Sequence, residues 1–449
     1  SDVYKRQVTD ELEALSFKIK DYLEILASRS KIMSIIAGEL NEVKEQFSPT
    51  RRTEIIDWAG DMEDEDLIER EDMVVTITSG GYIKRTPLAD FRAQRRGGKG
   101  LAGMQTKDED VVTTLFVANT HTQLLFFSTD GMAYKLKTWR LPLGSRTAKG
   151  KAIINILPIQ SGVTIAAVMP VDAPEEEWEK LQIIFSTSSG DVRRNALSDF
   201  TNVRSNGKIA MDLPEETKLV NARIANEDDD VMLVTDSGRA IRFSTTAVRV
   251  FKGRKSTGVR GIKILGDDKV VSMSIIRHFE ASPDERSAYL KMRRAVAGMS
   301  DDEVSSQEEE EEEINANATI SPKKYAEMSA AENLILTITS SGSGKLSSSH
   351  DYPVRGRGGM GVSAIDKKMR GGLLVASFPV EIEDQIMLAT SNGQSIRVPV
   401  EGISFRSRSA GGVKVFNTGE DEQVVSVAWI AEKGDDADDT EAQVEDTKD

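Results

Sequence analysis

The chain has no cysteine among its 449 residues. That excludes a disulfide frame and thiolate chemistry, and it removes the usual ligands of a structural zinc. Histidine is nearly as scarce. His121, His278 and His350 lie far apart, without ligand spacing. No apolar run approaches the roughly 20 residues of a membrane-spanning helix, and no signal-peptide pattern opens the chain. The expectation is a cytoplasmic protein with no membrane contact. No Gly-Lys pair is followed by Ser or Thr, so the commonest phosphate-binding loop is missing too. "SGSGK" at 341–345 has no matched histidine and acid. No catalytic constellation and no metal site emerge.

Basic charge is in the minority: 58 Lys and Arg stand against 73 Asp and Glu, a net of −15. Taken alone, that argues against nucleic-acid binding. The acid, however, is segregated. Residues 61–72, 301–313 and 435–449 together carry −23, so the rest of the chain is +8. Acidic runs of this kind stay solvated.

Residues 8–47 carry apolar stripes at three- and four-residue steps, first Val8, Leu12, Leu15, Ile19, Tyr22 and Leu26, then Ile32, Ile36, Leu40, Val43 and Phe47. The spacing predicts two helices broken near Ser28–Ser30 and ended by Ser48-Pro49. "SDVYKRQ" at the start fits none of these patterns and reads as a leader foreign to the fold. From about residue 73 a different texture begins. Six times an apolar strand is followed by Thr or Ser, two residues, Gly, and a strand with Lys or Arg three or four positions later. The marks are Thr78/Gly81/Lys84, Ser128/Gly131/Lys135, Thr187/Gly190/Arg193, Thr235/Gly238/Arg242, Thr339/Gly342/Lys345 and Thr390/Gly393/Arg397. Each is a hairpin signal. The glycines are spaced 50, 59, 48, 104 and 51 residues apart. A period near 50 predicts a mainly β, six-bladed, propeller-like ring preceded by a helical stalk. The long interval holds an insertion at about 278–332. Its Ser282, Pro283 and Glu285 make a helix start with a capping box. The expected organisation is a helical region at 1–48, an acidic linker at 49–72, the ring at 73–432 and an acidic tail at 433–449.

Basic, glycine-containing loops follow the hairpins. Unit one carries Arg92, Arg95, Arg96 and Lys99 on "FRAQRRGGKGLAG". Unit two carries Arg146 and Lys149, unit four Arg254, Lys255 and Arg260, unit five Arg355 and Arg357, and unit six Arg406 and Arg408. Unit three has only Arg204 and Lys208. Glycine lets backbone N–H groups approach a phosphate, and flanking cations displace its counterions. Bending 20–30 bp of duplex by 40–90° costs of order 1–6 kcal/mol, more than one loop offsets but within reach of several. Charge repeated around a ring therefore suggests duplex DNA held through backbone and shape. A protein-binding scaffold would instead show apolar or aromatic rim loops.

Gln94-Arg95-Arg96-Gly97-Gly98-Lys99-Gly100 matches, residue for residue, the box that marks the C-terminal domain of the DNA gyrase A family. The six repeats resemble that family's six-bladed pinwheel. Residues 16–55 resemble the last helices of its breakage–reunion domain. "RGRGGMG" at 355–361 is the nearest internal copy of the box. The resemblance implies a domain that wraps double-stranded DNA with a fixed hand and depends on the box to do so. It implies a partner, gyrase B, in an A2B2 assembly, with ATP and Mg on that partner and none held here. None of the seven tyrosines sits in a context resembling the family's cleavage tyrosine, so this chain alone would not cut DNA. The topoisomerase IV counterpart, which usually lacks an intact box and often has fewer blades, is the alternative. The acidic tail resembles those on some gyrases, where a mobile anion could compete with DNA.

Overall fold

The computed structural model describes residues 2–48, 64–92, 112–145, 147–298, 317–366, 372–392, 395–419 and 421–430. The chain divides into two compact units, 1–63 and 64–449. In the first, α1 (Asp2–Ala27) and α2 (Arg29–Phe47) meet at the expected break. Ser28 caps α2 by accepting from the Lys31 N–H, and Lys31 reaches back to Asp21 and Glu24, each at 3.2 Å. Helix α1 includes residues 2–7, which fit no pattern in the sequence and were expected to stand apart from the fold. Neither helix buries a residue.

The second unit contains six antiparallel hairpins, each joined by a third strand. Blade one is Asp72–Thr78, Tyr82–Pro87 and Val112–Asn119; blade two is Gln123–Ser128, Met132–Lys137 and Ile165–Val171. Blade three is Gln182–Thr187, Asp191–Ala196 and Leu219–Ile224; blade four is Asp229–Thr235, Arg239–Ser244 and Val270–Arg277. Blade five is Leu334–Thr339, Ser343–Ser348 and Leu374–Val380; blade six is Gln385–Thr390, Ser395–Pro399 and Val424–Ile430. Third strands pack side by side from blade two to blade six, and Val424–Ile430 returns to lie against Val112–Asn119; blades one and two share an apolar cluster of Val75, Ile77, Leu124 and Phe126. The ring is therefore closed.

The Thr-x-x-Gly signature is a turn with two clamps. The Gly81 N–H donates to the Thr78 carbonyl at 3.0 Å, and the Tyr82 N–H donates to Thr78 Oγ1 at 3.1 Å. Gly81 sits at φ 75°, which a side chain disfavours. The same pair of bonds recurs at Thr187, Thr235 and Thr339.

Apolar residues of adjacent blades share seams, so no blade has a core of its own. Phe127, Phe185 and Phe200 join blades two and three, with ring centroids 5.3 to 5.8 Å apart. Leu336 and Ile338 of blade five pack with Ile386 and Leu388 of blade six. This mutual burial is why the repeat needs its neighbours.

Two parts of the ring differ from a plain repeat. Asp64–Leu67, inside the stretch read as solvated linker, forms a 3-10 turn on blades one and two. Its Glu65 pairs with Lys137 at 2.9 Å, which neutralises the acid locally and folds the end of the linker onto the ring. The insertion contributes two helices. Helix α3 is the short Leu88–Arg92 element after the first hairpin; α4 is Pro283–Val296 and α5 is Pro322–Ala331. Helix α4 begins with the expected Ser282/Glu285 capping box. Tyr289 of α4 is fully buried against Tyr325 and His350, and His350 Nε2 lies 2.7 Å from the Met328 carbonyl. Burial keeps the His350 ring below its ordinary pKa. The insertion is thus fastened to blade five.

A buried ion pair holds blade four to the blade-five loop. Arg242 Nε donates to Asp230 Oδ2 at 2.8 Å, and its other nitrogens reach the carbonyls of Ser349 at 2.7 Å and Arg277 at 3.0 Å. The side chains are 3% and 0% exposed. Asp230→Ala strands the guanidinium among neutral groups and costs about 3–5 kcal/mol. Urea unfolding followed by hydrogen exchange in blades four and five measures it, since a multi-unit ring need not melt as one step.

Candidate nucleic-acid interface

The loops after hairpins two to six do not stay on their own blades. Each of the five crosses to the preceding blade and runs along the outside of that blade's second strand. Arg85 donates its N–H to the Pro142 carbonyl at 2.9 Å, and Ile153 donates to the Gly81 carbonyl at 2.8 Å. Equivalent bonds run from Ala210 to Gly131, Gly261 to Gly190, Ala364 to Gly238 and Val415 to Gly342. Each loop ends as a strand of two residues that completes the previous sheet: Lys151–Ala152, Lys208–Ile209, Val259–Arg260, Val362–Ser363 and Val413–Lys414. The basic loops therefore form the outer edge of the ring.

Most of the cations on these loops face solvent. Arg140, Lys149, Lys151, Arg204, Arg249, Lys252, Lys255, Arg260, Lys263, Arg357 and Lys414 are exposed. Several are held in place by local contacts. Lys149 Nζ stands 4.1 Å from the Tyr82 ring centre, and the Arg249 guanidinium lies 3.8 Å from that of Phe251. Arg357 reaches the carbonyls of Ala247 at 2.9 Å and Arg260 at 3.1 Å. Arg254 donates to the Ile209 carbonyl at 2.7 Å. Arg355 and Arg406 are half-buried on the same edge.

Arg408 departs from the expected phosphate contact. It is 5% exposed, and its guanidinium serves the carbonyls of Asp351 at 2.9 Å and of Ser363. Those bonds tie the unit-six loop to the unit-five loop, so Arg408 supports the loop from inside. Gln94, Arg95, Arg96, Gly97, Gly98, Lys99 and Gly100 of the box lie outside the described residues, as does Arg146.

The repeat's Lys and Arg have a role that sequence reading missed. Lys84, Arg193, Arg242 and Lys345 are buried pegs under the rim loops. Lys84 is 3% exposed and donates to the carbonyls of Ser145 at 2.9 Å and Ala148 at 2.8 Å. Lys345 is fully buried and serves the carbonyls of Ser407, Arg408 and Ala410. Burial pulls its ammonium down to about 7, against the attraction of Asp351. Arg193, also fully buried, holds the unit-four loop; burial lowers it to about 10, so it stays charged at neutral pH. The signal was present in the regular spacing from the turn glycine, but a strand cation at that position reads as a surface residue.

Among the described residues no three His, Asp or Glu side chains group as a metal site, and no helix is long and apolar enough to cross a membrane.

Comparison with known proteins agrees with this architecture. The family model described as "DNA gyrase C-terminal domain, beta-propeller" matches residues 72–119, 122–172, 182–226, 229–277, 333–381 and 384–428. These segments coincide with the six blades. The DNA gyrase A protein of Rickettsia bellii is 41% identical over 96% of this chain and 47% of its own length. That of Granulibacter bethesdensis is 43% identical over 96% of this chain and 48% of its own length. The chain thus spans about half the length of the curated relatives it matches. Two solved structures share the fold. The C-terminal domain of DNA topoisomerase IV superposes with a TM-score of 0.58 at 22% identity, covering 81% of this chain and 94% of that one. The DNA gyrase A C-terminal domain gives 0.55 at 20%, covering 80% and 100%. On the match of all six blades, this chain belongs to the DNA gyrase A family and carries its C-terminal β-propeller.

Proposed function

We propose that the ring binds duplex DNA and wraps it around its outer edge with a fixed hand. In the full-length protein this wrap serves ATP-dependent negative supercoiling by an assembly of two gyrase A and two gyrase B chains. Gyrase B would hold ATP and Mg, and strand cleavage would belong to the breakage–reunion domain of gyrase A. The observation that carries the reading is the placement of exposed cations on the rim loops of units two to six, all on the outer edges of successive blades. A duplex following that edge meets lysine or arginine at each of blades one to five and needs no base contacts. The net negative charge of the chain does not oppose this, because three acidic runs carry −23 of it and the rest of the chain is +8.

The test is equilibrium binding to a mixed-sequence duplex across a salt series. If six or more phosphates are neutralised, log K falls against log salt with a slope of about −5 or steeper. A scaffold for protein partners binds the duplex weakly and with a slope near zero.

A further inference from the structure

The unit-four loop turns several of its carbonyls inward onto two buried side chains. Below it, on the second strand of blade three, lie Arg193 and Asn195, both fully buried. Arg193 Nε donates to Asn195 Oδ1 at 2.8 Å, and Arg193 is held independently of it by the Ala210 carbonyl. Asn195 Nδ2 donates to the carbonyls of Phe251 at 3.2 Å and Gly253 at 3.1 Å. Arg193 Nη1 donates to the carbonyls of Arg254 at 2.7 Å and Ser256 at 2.5 Å. Four carbonyls of one short loop therefore point into the ring.

The opposite side follows from peptide geometry. In a trans peptide the C=O of one residue and the N–H of the next point in opposite directions. The chain has no cis peptide bonds among the described residues. The N–H groups of Lys252, Arg254, Lys255 and Thr257 must then point outward, each following one of the inward carbonyls. None of the four donates to an acceptor among the described residues. Lys252, Lys255 and Ser256 are exposed on the same loop. Outward N–H groups grouped on one turn, with a buried guanidinium beneath and ammonium groups beside them, make an anion site.

Other loops are less complete. In unit six Lys345 also draws in three carbonyls, but the Arg408 N–H is already taken by Asp351 Oδ2 at 2.7 Å. In unit three the corresponding place under Gly207 is occupied by the Tyr134 ring, and no buried cation lies there.

We propose that residues 252–257 form a backbone phosphate cradle, organised from below by Arg193 and Asn195, and that it anchors one phosphodiester of the duplex on the rim of blade three. Its assignment to DNA rests on the function proposed above; the affinity for a phosphate group does not. Arg193 and Asn195 are positioning residues, since neither reaches the ligand.

The experiment is an amide shift titration of the 15N-labelled chain, with inorganic phosphate in one arm and a 20-bp duplex in the other. The expected result is that Lys252, Arg254, Lys255 and Thr257 show the largest downfield amide proton shifts in both arms, well above Arg204 and Asn206 of the unit-three loop. Asn195→Leu then removes the response at Lys252 and Arg254, whose preceding carbonyls it held. Lys255 and Thr257, held through Arg193, keep theirs. A general loosening of the loop would instead reduce all four. If Asn195→Leu does not fold, the wild-type titration decides alone. Duplex binding with shifts at the four amides no larger than at Arg204 overturns the cradle and leaves the DNA reading standing. Phosphate shifts at the four amides without duplex binding keep the cradle and remove the DNA reading. No response in either arm removes both.

Discussion

Replacing Lys149, Lys252, Lys255, Arg260 and Arg357 together by glutamine weakens duplex binding about a thousandfold at 0.15 M salt and makes the salt slope shallower by about 4 to 5. The magnitude follows from counterion release, at about 0.9 in slope for each phosphate no longer neutralised. All five side chains are exposed, on loops that lie against blades one, three and four. Surface substitutions of this type change stability by about 0.5 kcal/mol or less apiece, so the ring should keep its melting behaviour. Circular dichroism and thermal unfolding check that. An unchanged slope would mean that the duplex, if bound, is held elsewhere.

Arg95→Ala with Lys99→Ala is expected to abolish the chiral wrap while the duplex still binds. These two residues belong to the box, which lies outside the described residues, so this prediction draws on the family's pattern and on charge. Losing two cations of the rim removes about 1.8 from the salt slope, which leaves most of the binding intact. A wrap is more demanding than binding. It must offset bending at several places at once, of order 1–6 kcal/mol for each 40–90° over 20–30 bp. A duplex that loses its grip at one blade leaves the ring there. The readout is the length of DNA protected from nuclease, expected to shrink to that of a short, unbent contact. Protection of wild-type length in the double variant would sink the box assignment.

The sequence made the hairpins legible because one turn chemistry recurs. Thr or Ser at the first position and Gly at the fourth are needed for the two clamps seen at Thr78, and they leave a mark at every repeat. The α4 start was legible for the same reason, since Ser282, Pro283 and Glu285 each have one local job. The crossing of each loop onto the preceding blade was not legible. Strands of two residues, such as Lys208–Ile209, carry no periodicity, and their partners lie some 75 residues away in sequence. The loop cations were read as one class, and the structure separates them. Lys149 and Lys255 stand in solvent, whereas Arg408 is engaged by the Asp351 and Ser363 carbonyls. Burial of a long cation depends on which carbonyls a neighbouring loop brings to it, and that is a property of the ring rather than of the residue. Lys345 shows the same point from the other side, as an ammonium with no exposure at all. The pairing of Glu65 with Lys137 was not legible, because the two lie 72 residues apart.

The central claim, that duplex DNA is wrapped with a fixed hand, is tested most directly by topology. Nicked plasmid is ligated with and without the chain, the protein is removed, and the linking-number distributions are compared. A shift toward positive linking difference that grows with protein concentration is the predicted result. Tight duplex binding with no shift would contradict the wrap, and would leave the ring as a DNA holder of the topoisomerase IV-like kind.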